Sequence, residues 1–60
     1  MVRRAMPVPM QEVLRDRIQH YGLSKAAADA CVSEMAFARA ALGETIQAKV
    51  WDEIVLAYFK

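Results

Sequence analysis

The chain has few of the residues that small proteins use for cross-links and reactive sites. Its sixty residues include one cysteine, one histidine and two glycines. A single cysteine cannot form an intramolecular disulfide, and one cysteine with one histidine cannot supply a Cys/His set of four zinc ligands. The glycines stand far apart, which excludes a glycine-rich phosphate-binding loop. We therefore predict no metal, no cofactor and no catalytic residue, because so small a core leaves little room for a ligand pocket.

Long hydrophobic runs are also missing. The sequence has no uninterrupted stretch of the roughly 18 apolar residues that a membrane span needs, since Asp29, Glu34 and Arg39 divide its most apolar region. Near the start, Pro7 and Pro9 arrive before any apolar segment long enough to serve as an export signal. We expect no association with a membrane and a cytoplasmic location.

Apolar residues, by contrast, make up 57% of the chain. Met10, Leu14 and Ile18 recur at the period of an amphipathic helix, and Gly22 and Gly43 predict helix ends. The sequence therefore predicts an all-α fold, with an extended N-terminal arm followed by a small three-helix domain. The predicted boundaries are 1–9 for the arm and 10–60 for the domain, with helices at about 10–21, 25–42 and 46–59.

The second predicted helix is rich in alanine, which favours one continuous helix over residues 25–42. Ser24 is expected to cap its start, and Thr45 is expected to cap the helix that follows. On the wheel of this helix Cys31 lies on the main apolar face, so a buried thiol is expected there. Phe37 points away from that face. A helix that is apolar on nearly every side is usually covered on nearly every side.

The apolar excess predicts that the fold is completed by another chain. A lone domain of this length buries only about 60% of its unfolded surface. We expect a homo-oligomer, most simply a dimer, with Phe37, Val55, Leu56 and Phe59 as exposed interface anchors. The corresponding function is a non-enzymatic regulatory or adaptor module that binds another macromolecule, with a foreign protein as a possible partner.

The charge distribution suggests a second function. Residues 1–25 carry five cations against two carboxylates, whereas residues 26–60 carry three against five. Because a basic half attracts anionic partners, the alternative is a small helical transcription regulator that binds DNA. Its candidate nucleic-acid contacts are Arg3, Arg4, Arg15, Arg17, Lys25 and Arg39.

An alternative division of the second helix carries a family resemblance. If the helix breaks near Cys31 with Ser33 as a new cap, residues 23–40 resemble the helix-turn-helix of prokaryotic DNA-binding proteins. That family has a small residue in its first helix, another, usually glycine, in the turn, and bulky apolar residues beyond. The matching positions are Ala27, Cys31, Val32, Ser33 and Phe37. Here the turn has Cys31 where glycine is usual, and Arg39 is the one cation in the helix that would follow it, from Glu34 to Leu42. The resemblance implies DNA binding, and the continuous helix remains the prediction.

A second resemblance involves the stretch Gly22-Leu23-Ser24-Lys25, which is similar to the turn between the helices of ribbon-helix-helix repressors. That resemblance implies a DNA-reading strand in the first few residues. Pro7 and Pro9 disfavour a paired strand there.

Overall fold

The computed structural model describes residues 2–59, which fold into four helices and one pair of two-residue strands. In chain order the elements are β1 Arg3–Arg4, α1 Val8–Tyr21, α2 Leu23–Asp29, α3 Glu34–Ala41, β2 Ile46–Gln47 and α4 Ala48–Tyr58. The prediction of a mainly helical protein is confirmed. The described residues form four helices rather than three, because the second predicted helix is divided in two.

The first helix begins two residues earlier than predicted, at Val8. Pro9 lies in its first turn, where the missing N–H has no helical acceptor to lose. At the other end, the N–H of Gly22 donates to the Ile18 carbonyl at 2.8 Å, and Gly22 has a φ of 88°. Glycine adopts this positive φ without steric cost, so the predicted helix end is confirmed. The next helix starts at once, at Leu23, and Ser24 lies inside it rather than capping it.

The prediction of one continuous helix over residues 25–42 is wrong. After Ala30 the chain turns at Cys31, whose φ of 59° places it in the left-handed region. The N–H of Cys31 donates to Ala28 O at 3.0 Å, and that of Val32 donates to Ala27 O at 3.1 Å. This pair of bonds is the Schellman motif that usually has glycine at its left-handed position. Because Cys31 occupies that turn, its thiol is exposed and not buried as expected.

A side-chain cap starts the helix that follows the break. The hydroxyl of Ser33 accepts a hydrogen bond from the N–H of Ala36 at 3.1 Å, as the alternative division predicts. α3 then ends in a second Schellman motif, in which Glu44 N donates to Arg39 O at 3.0 Å and Gly43 has a φ of 84°. The helix preference of alanine amounts to only tenths of a kcal/mol per residue. The hydrogen-bonded helix ends at the break, and the burial of side chains that the break permits, therefore outweigh the preference of the alanines for one continuous helix.

The core is made of a few large side chains among many alanines. Phe37, Leu14 and Ile54 are fully buried, and the ring of Phe37 packs edge-on against Tyr58 with centroids 5.9 Å apart. The Tyr58 hydroxyl donates to the Ala26 carbonyl at 2.8 Å, which ties α4 to α2. Burial raises the pKa of this hydroxyl, so it remains a donor over the physiological range.

The expectation that Phe37 lies on an exposed face is wrong. Its side chain has no exposed surface, because the break at Cys31 turns α3 so that Phe37 points into the core. Val55 is also buried, at 9% exposure, against the same core. Of the four predicted interface anchors, Leu56 is the one that is largely exposed, at 61%. Phe59 is half-buried and packs on the core.

The first residues pair with the segment before the last helix. Arg3 lies opposite Gln47 and Arg4 opposite Ile46 in an antiparallel ladder, and Ala48 N donates to Val2 O at 3.1 Å. The prolines come after this short strand and do not interrupt its hydrogen bonds. Because Ile46 and Gln47 are in the strand, the last helix starts at Ala48 and not at residue 46, and Thr45 does not cap it.

The left-handed turn leads to a first prediction. Replacing Cys31 by glycine should raise the free energy of unfolding by about 0.5–1 kcal/mol. The left-handed region costs an ordinary residue about 1–2 kcal/mol, which glycine avoids. Part of this gain is offset because glycine loses more conformational entropy on folding. Chemical denaturation of C31G and wild type measures the difference. The control is Ala28→Gly, at an exposed position of α2, which should lose about 1 kcal/mol. Equal destabilisation by both changes would show that the turn is not left-handed.

Burial of Phe37 leads to a second prediction. Truncation to alanine should cost about 3–5 kcal/mol, because it removes a fully buried ring and leaves a cavity. A loss of stability of this size leaves most molecules of a sixty-residue domain unfolded. Far-ultraviolet circular dichroism and thermal melting will detect the change. Met35→Ala, on the same helix but 66% exposed, is the matched control and should change stability by less than about 0.5 kcal/mol. Similar melting of the two variants would contradict the buried position of Phe37.

Candidate nucleic-acid interface

α3 has one buried and one exposed side. Phe37, Ala40 and Ala41 face the core, whereas Met35 and Arg39 are exposed on the opposite side. These two residues are four apart and therefore lie one above the other on the helix surface. The N-terminal Ser33 cap and the contacts of α3 with α1 and α2 hold the exposed side in place.

An open cleft of about 290 Å³ runs beside this exposed side of α3. On one side it is lined by α3 and its cap, and on the other by β1, β2 and the start of α4. Its lining residues are Arg3, Ser33, Met35, Ala36, Arg39, Ile46, Gln47 and Val50. The lining therefore combines two guanidinium groups with apolar and neutral polar side chains, and it includes no carboxylate.

The two arginines at the cleft differ in how they are held. Arg3 donates from Nη2 to the Thr45 carbonyl at 2.8 Å and from Nε to the Thr45 hydroxyl at 3.3 Å. Both acceptors are neutral, so the guanidinium is positioned without being paired to an opposite charge. Among residues 2–59, neither Arg3 nor Arg39 lies within ion-pair distance of a carboxylate. The cleft therefore presents a double positive charge to solvent.

The other four predicted contacts lie apart from this pair. Arg4 stacks over the ring of Trp51 at 4.0 Å, on the surface next to Leu56. Lys25 pairs with Asp29 at 3.8 Å. Neither residue lines the cleft, so the structure does not bring the six predicted cations into one patch.

Two arginines of α1 make contacts inside the chain. Arg15 donates from Nη1 to the Ala41 carbonyl at 2.8 Å, at the C-terminal end of α3, where a positive charge also complements the helix dipole. The guanidinium of Arg17 lies 5.7 Å from the ring centroid of Tyr58 and 5.8 Å from that of Tyr21. Both arginines are exposed, and each already contacts a carbonyl group or an aromatic ring of the same chain.

A second hollow lies at the surface beside α4 and β1. Its lining residues are Arg4, Trp51, Asp52, Val55 and Leu56. The hollow combines an exposed leucine with one cation and one carboxylate. Sequence reasoning assigned Leu56 to an interface, but the neighbouring Arg4 and Asp52 could not be placed beside it without the fold.

The side chains that could bind a metal are scattered over residues 2–59. Within the part of the chain that the structure describes, no three residues of the types His, Cys, Asp and Glu lie close enough to hold a metal ion together. His20 lies at the surface, with Nδ1 at 3.2 Å from a carboxylate oxygen of Asp16. The helices of residues 2–59 include none with the length and apolar character required to cross a bilayer.

Comparisons of the chain with known protein families, with curated proteins and with solved structures give no match. The assignment of a function therefore depends on the geometry of the chain itself. Sequence reasoning did not predict that Arg3 and Arg39 line the same cleft. Two-residue strands leave no alternating pattern, so the sequence had no signal that would bring residue 3 beside α3.

Proposed function

We propose that the protein is a small DNA-binding regulator of the helix-turn-helix type, with α3 as the helix that enters the major groove. The observation that carries the proposal is the unit formed by α2, a four-residue turn at residues 30–33, and α3. Two short helices joined by a turn of three or four residues, with the second helix accessible, are the form of that DNA-binding motif.

The dimensions of α3 agree with this role. Eight residues of α-helix are about 12 Å long, and a helix is about 10–12 Å wide with its side chains. The major groove of B-DNA is about 12 Å wide, so it admits such a helix. At about 3.4 Å per base pair, α3 spans three to four base pairs.

The electrostatics of the cleft also support the proposal. With α3 in the groove, Arg3 and Arg39 are suited to contact phosphates of the DNA backbone, because both line the cleft beside α3 and neither is paired with a carboxylate among the described residues. Charge-assisted hydrogen bonds from arginine to phosphate fix the register of a protein on a duplex. Glu34 is exposed at the start of α3 but does not line the cleft.

Self-association through Leu56 is a second candidate, favoured by the hollow around this side chain. Leu56 is 61% exposed next to Trp51, with Arg4 and Asp52 in the same lining. In a two-fold interface each patch meets a copy of itself, so a patch with one cation and one carboxylate can pair both charges with the second copy. This association also suits a DNA-binding role, because such modules usually bind two half-sites as dimers.

The DNA-binding proposal predicts a salt-dependent affinity that depends on the two arginines of the cleft. Fluorescence anisotropy with a labelled 20-base-pair duplex, measured from 50 to 200 mM salt, gives the slope of log K against log salt. The double variant Arg3→Gln, Arg39→Gln should reduce the magnitude of this slope by about two, since each phosphate contact contributes about 0.9.

The matched control for that experiment is Arg17→Gln, which removes a guanidinium that lies against Tyr21 and Tyr58. This variant should keep the wild-type slope, and circular dichroism should show that all variants are folded. The proposal would be overturned if the wild-type protein bound no duplex at 50 mM salt. It would also be overturned if the cleft variant and the control lost affinity equally.

The second candidate predicts a dimer that depends on Leu56. Sedimentation velocity across a dilution series should show wild-type dimers and Leu56→Asp monomers, because association would then have to bury a carboxylate in place of an apolar side chain. Met35→Asp introduces the same charge at an equally exposed apolar residue of the cleft and should remain dimeric. A wild-type protein that is a folded monomer at every concentration would exclude self-association.

A further inference from the structure

We propose that α3 selects thymine-containing sequences by placing Met35 and Ala36 against the C5 methyl groups of thymine in the major groove. This inference rests on the DNA-binding function proposed above and names the base that the site recognises. Its starting point is the composition of the exposed side of α3, where the side chains that line the cleft are Met35, Ala36 and Arg39.

The exposed side of α3 has almost no hydrogen-bonding capacity. Its sequence is Glu-Met-Ala-Phe-Ala-Arg-Ala-Ala, and Glu34 and Arg39 are its two polar side chains. Glu34 does not line the cleft, and Arg39 is assigned above to the phosphates. The surface that remains for base contacts is the thioether of Met35, which is 66% exposed, and the methyl group of the half-buried Ala36.

The bases differ in what they offer to such a surface. In the major groove guanine presents two acceptors, adenine an acceptor and a donor, and cytosine a donor, whereas thymine adds an apolar methyl group to its single acceptor. Met35 placed against a guanine or cytosine edge would remove polar groups from water without replacing their hydrogen bonds, which is unfavourable. Against thymine it buries a methyl group and gains contact. An apolar recognition surface therefore favours thymine, because contact with the methyl group is attractive. It disfavours the other bases, because their polar groups would lose water without gaining a hydrogen bond.

The small size of Ala36 contributes to the geometry. Its N–H is already bonded to the Ser33 hydroxyl at 3.1 Å, so a side-chain cap holds the first turn of α3. A methyl side chain allows the helix backbone to approach the floor of the groove, and the longer Met35 side chain reaches the adjacent base pair. The two residues are consecutive and both line the cleft, so they address neighbouring steps of the same groove.

The charges around the cleft favour DNA over an apolar protein surface as the binding partner. The lining carries two guanidinium groups and no carboxylate, as described above. An apolar protein segment would bury both cations without an opposite charge, which is costly. A duplex offers phosphates along the edge of the groove and methyl groups on its floor, so it complements both the cations and the apolar residues of the lining.

Removal of the methyl group from DNA tests the inference directly. Two 20-base-pair duplexes of identical sequence are compared, one with thymine and one with deoxyuridine at every thymine position, so that charge, length and base pairing are the same. Anisotropy titrations at fixed salt should give about tenfold weaker binding to the deoxyuridine duplex, since each buried methyl contributes about threefold to fourfold. As a reciprocal probe, 5-methylcytosine in a G·C-rich duplex restores a methyl at the same ring position and should raise affinity above that of the unmethylated duplex.

Protein variants assign the effect to α3. Met35→Gln keeps a side chain of similar length at an exposed position, and it should reduce the thymine-to-deoxyuridine ratio towards one while preserving the salt slope. Leu42→Gln is the matched control, because Leu42 is 67% exposed at the end of α3 and does not line the cleft. This control should keep the tenfold ratio.

Each result distinguishes the inference from the function on which it rests. Equal, salt-dependent binding to the thymine and deoxyuridine duplexes would overturn methyl recognition and leave DNA binding in place. No binding to either duplex would overturn both. A thymine preference that survives in Met35→Gln but is lost in Leu42→Gln would overturn the assignment to the cleft side of α3.

Discussion

The left-handed turn at Cys31 is the constraint on which the rest of the fold depends. Tyr58 contacts residues on both sides of this turn, with its hydroxyl 2.8 Å from the Ala26 carbonyl in α2 and its ring 5.9 Å from that of Phe37 in α3. The reversal of the chain at this turn brings both helices against the same side chain of α4. The core around Phe37 and the attachment of α4 therefore both depend on the turn.

The two Schellman ends show how a chain with only two glycines achieves this reversal. The first has Cys31 at the left-handed position, and the second has Gly43 at the equivalent position after α3. A cysteine there is strained by about 1–2 kcal/mol. The neighbouring residues offset this strain, since the Ser33 cap satisfies one N–H and the turn permits complete burial of Phe37. The strained turn thus makes possible the packing that offsets its cost. The same turn leaves the opposite side of α3 exposed.

The parts of the fold that sequence reasoning could predict are those that depend on local chemistry. The first helix, its end at Gly22, and the possibility of a Ser33 cap follow from periodicity and from known cap preferences. The choice between a continuous and a broken helix cannot be made in this way, because the eight alanines of this region favour a helix in both arrangements. What decides between them is the burial of Phe37 against Tyr58, a contact between residues 21 positions apart. The misplaced interface anchor Phe37 has the same cause, since a straight helix points it away from the main apolar face.

The candidate site shows the same division between local and distant information. Its α3 residues, including Arg39, lie in the segment whose sequence resembles the second helix of a helix-turn-helix. Arg3 is not, because it reaches the cleft only through the pairing of β1 with β2. Two hydrogen bonds to Thr45 then hold its guanidinium in the folded chain. Since Thr45 is neutral, these bonds reduce the freedom of the side chain without reducing its charge, so an anion at the cleft would meet a preorganised partner. The pairing of Lys25 with Asp29 has the opposite effect, because it compensates the charge of the lysine. A count of basic residues therefore does not define the candidate site, which depends on the cleft that brings two uncompensated charges together beside α3.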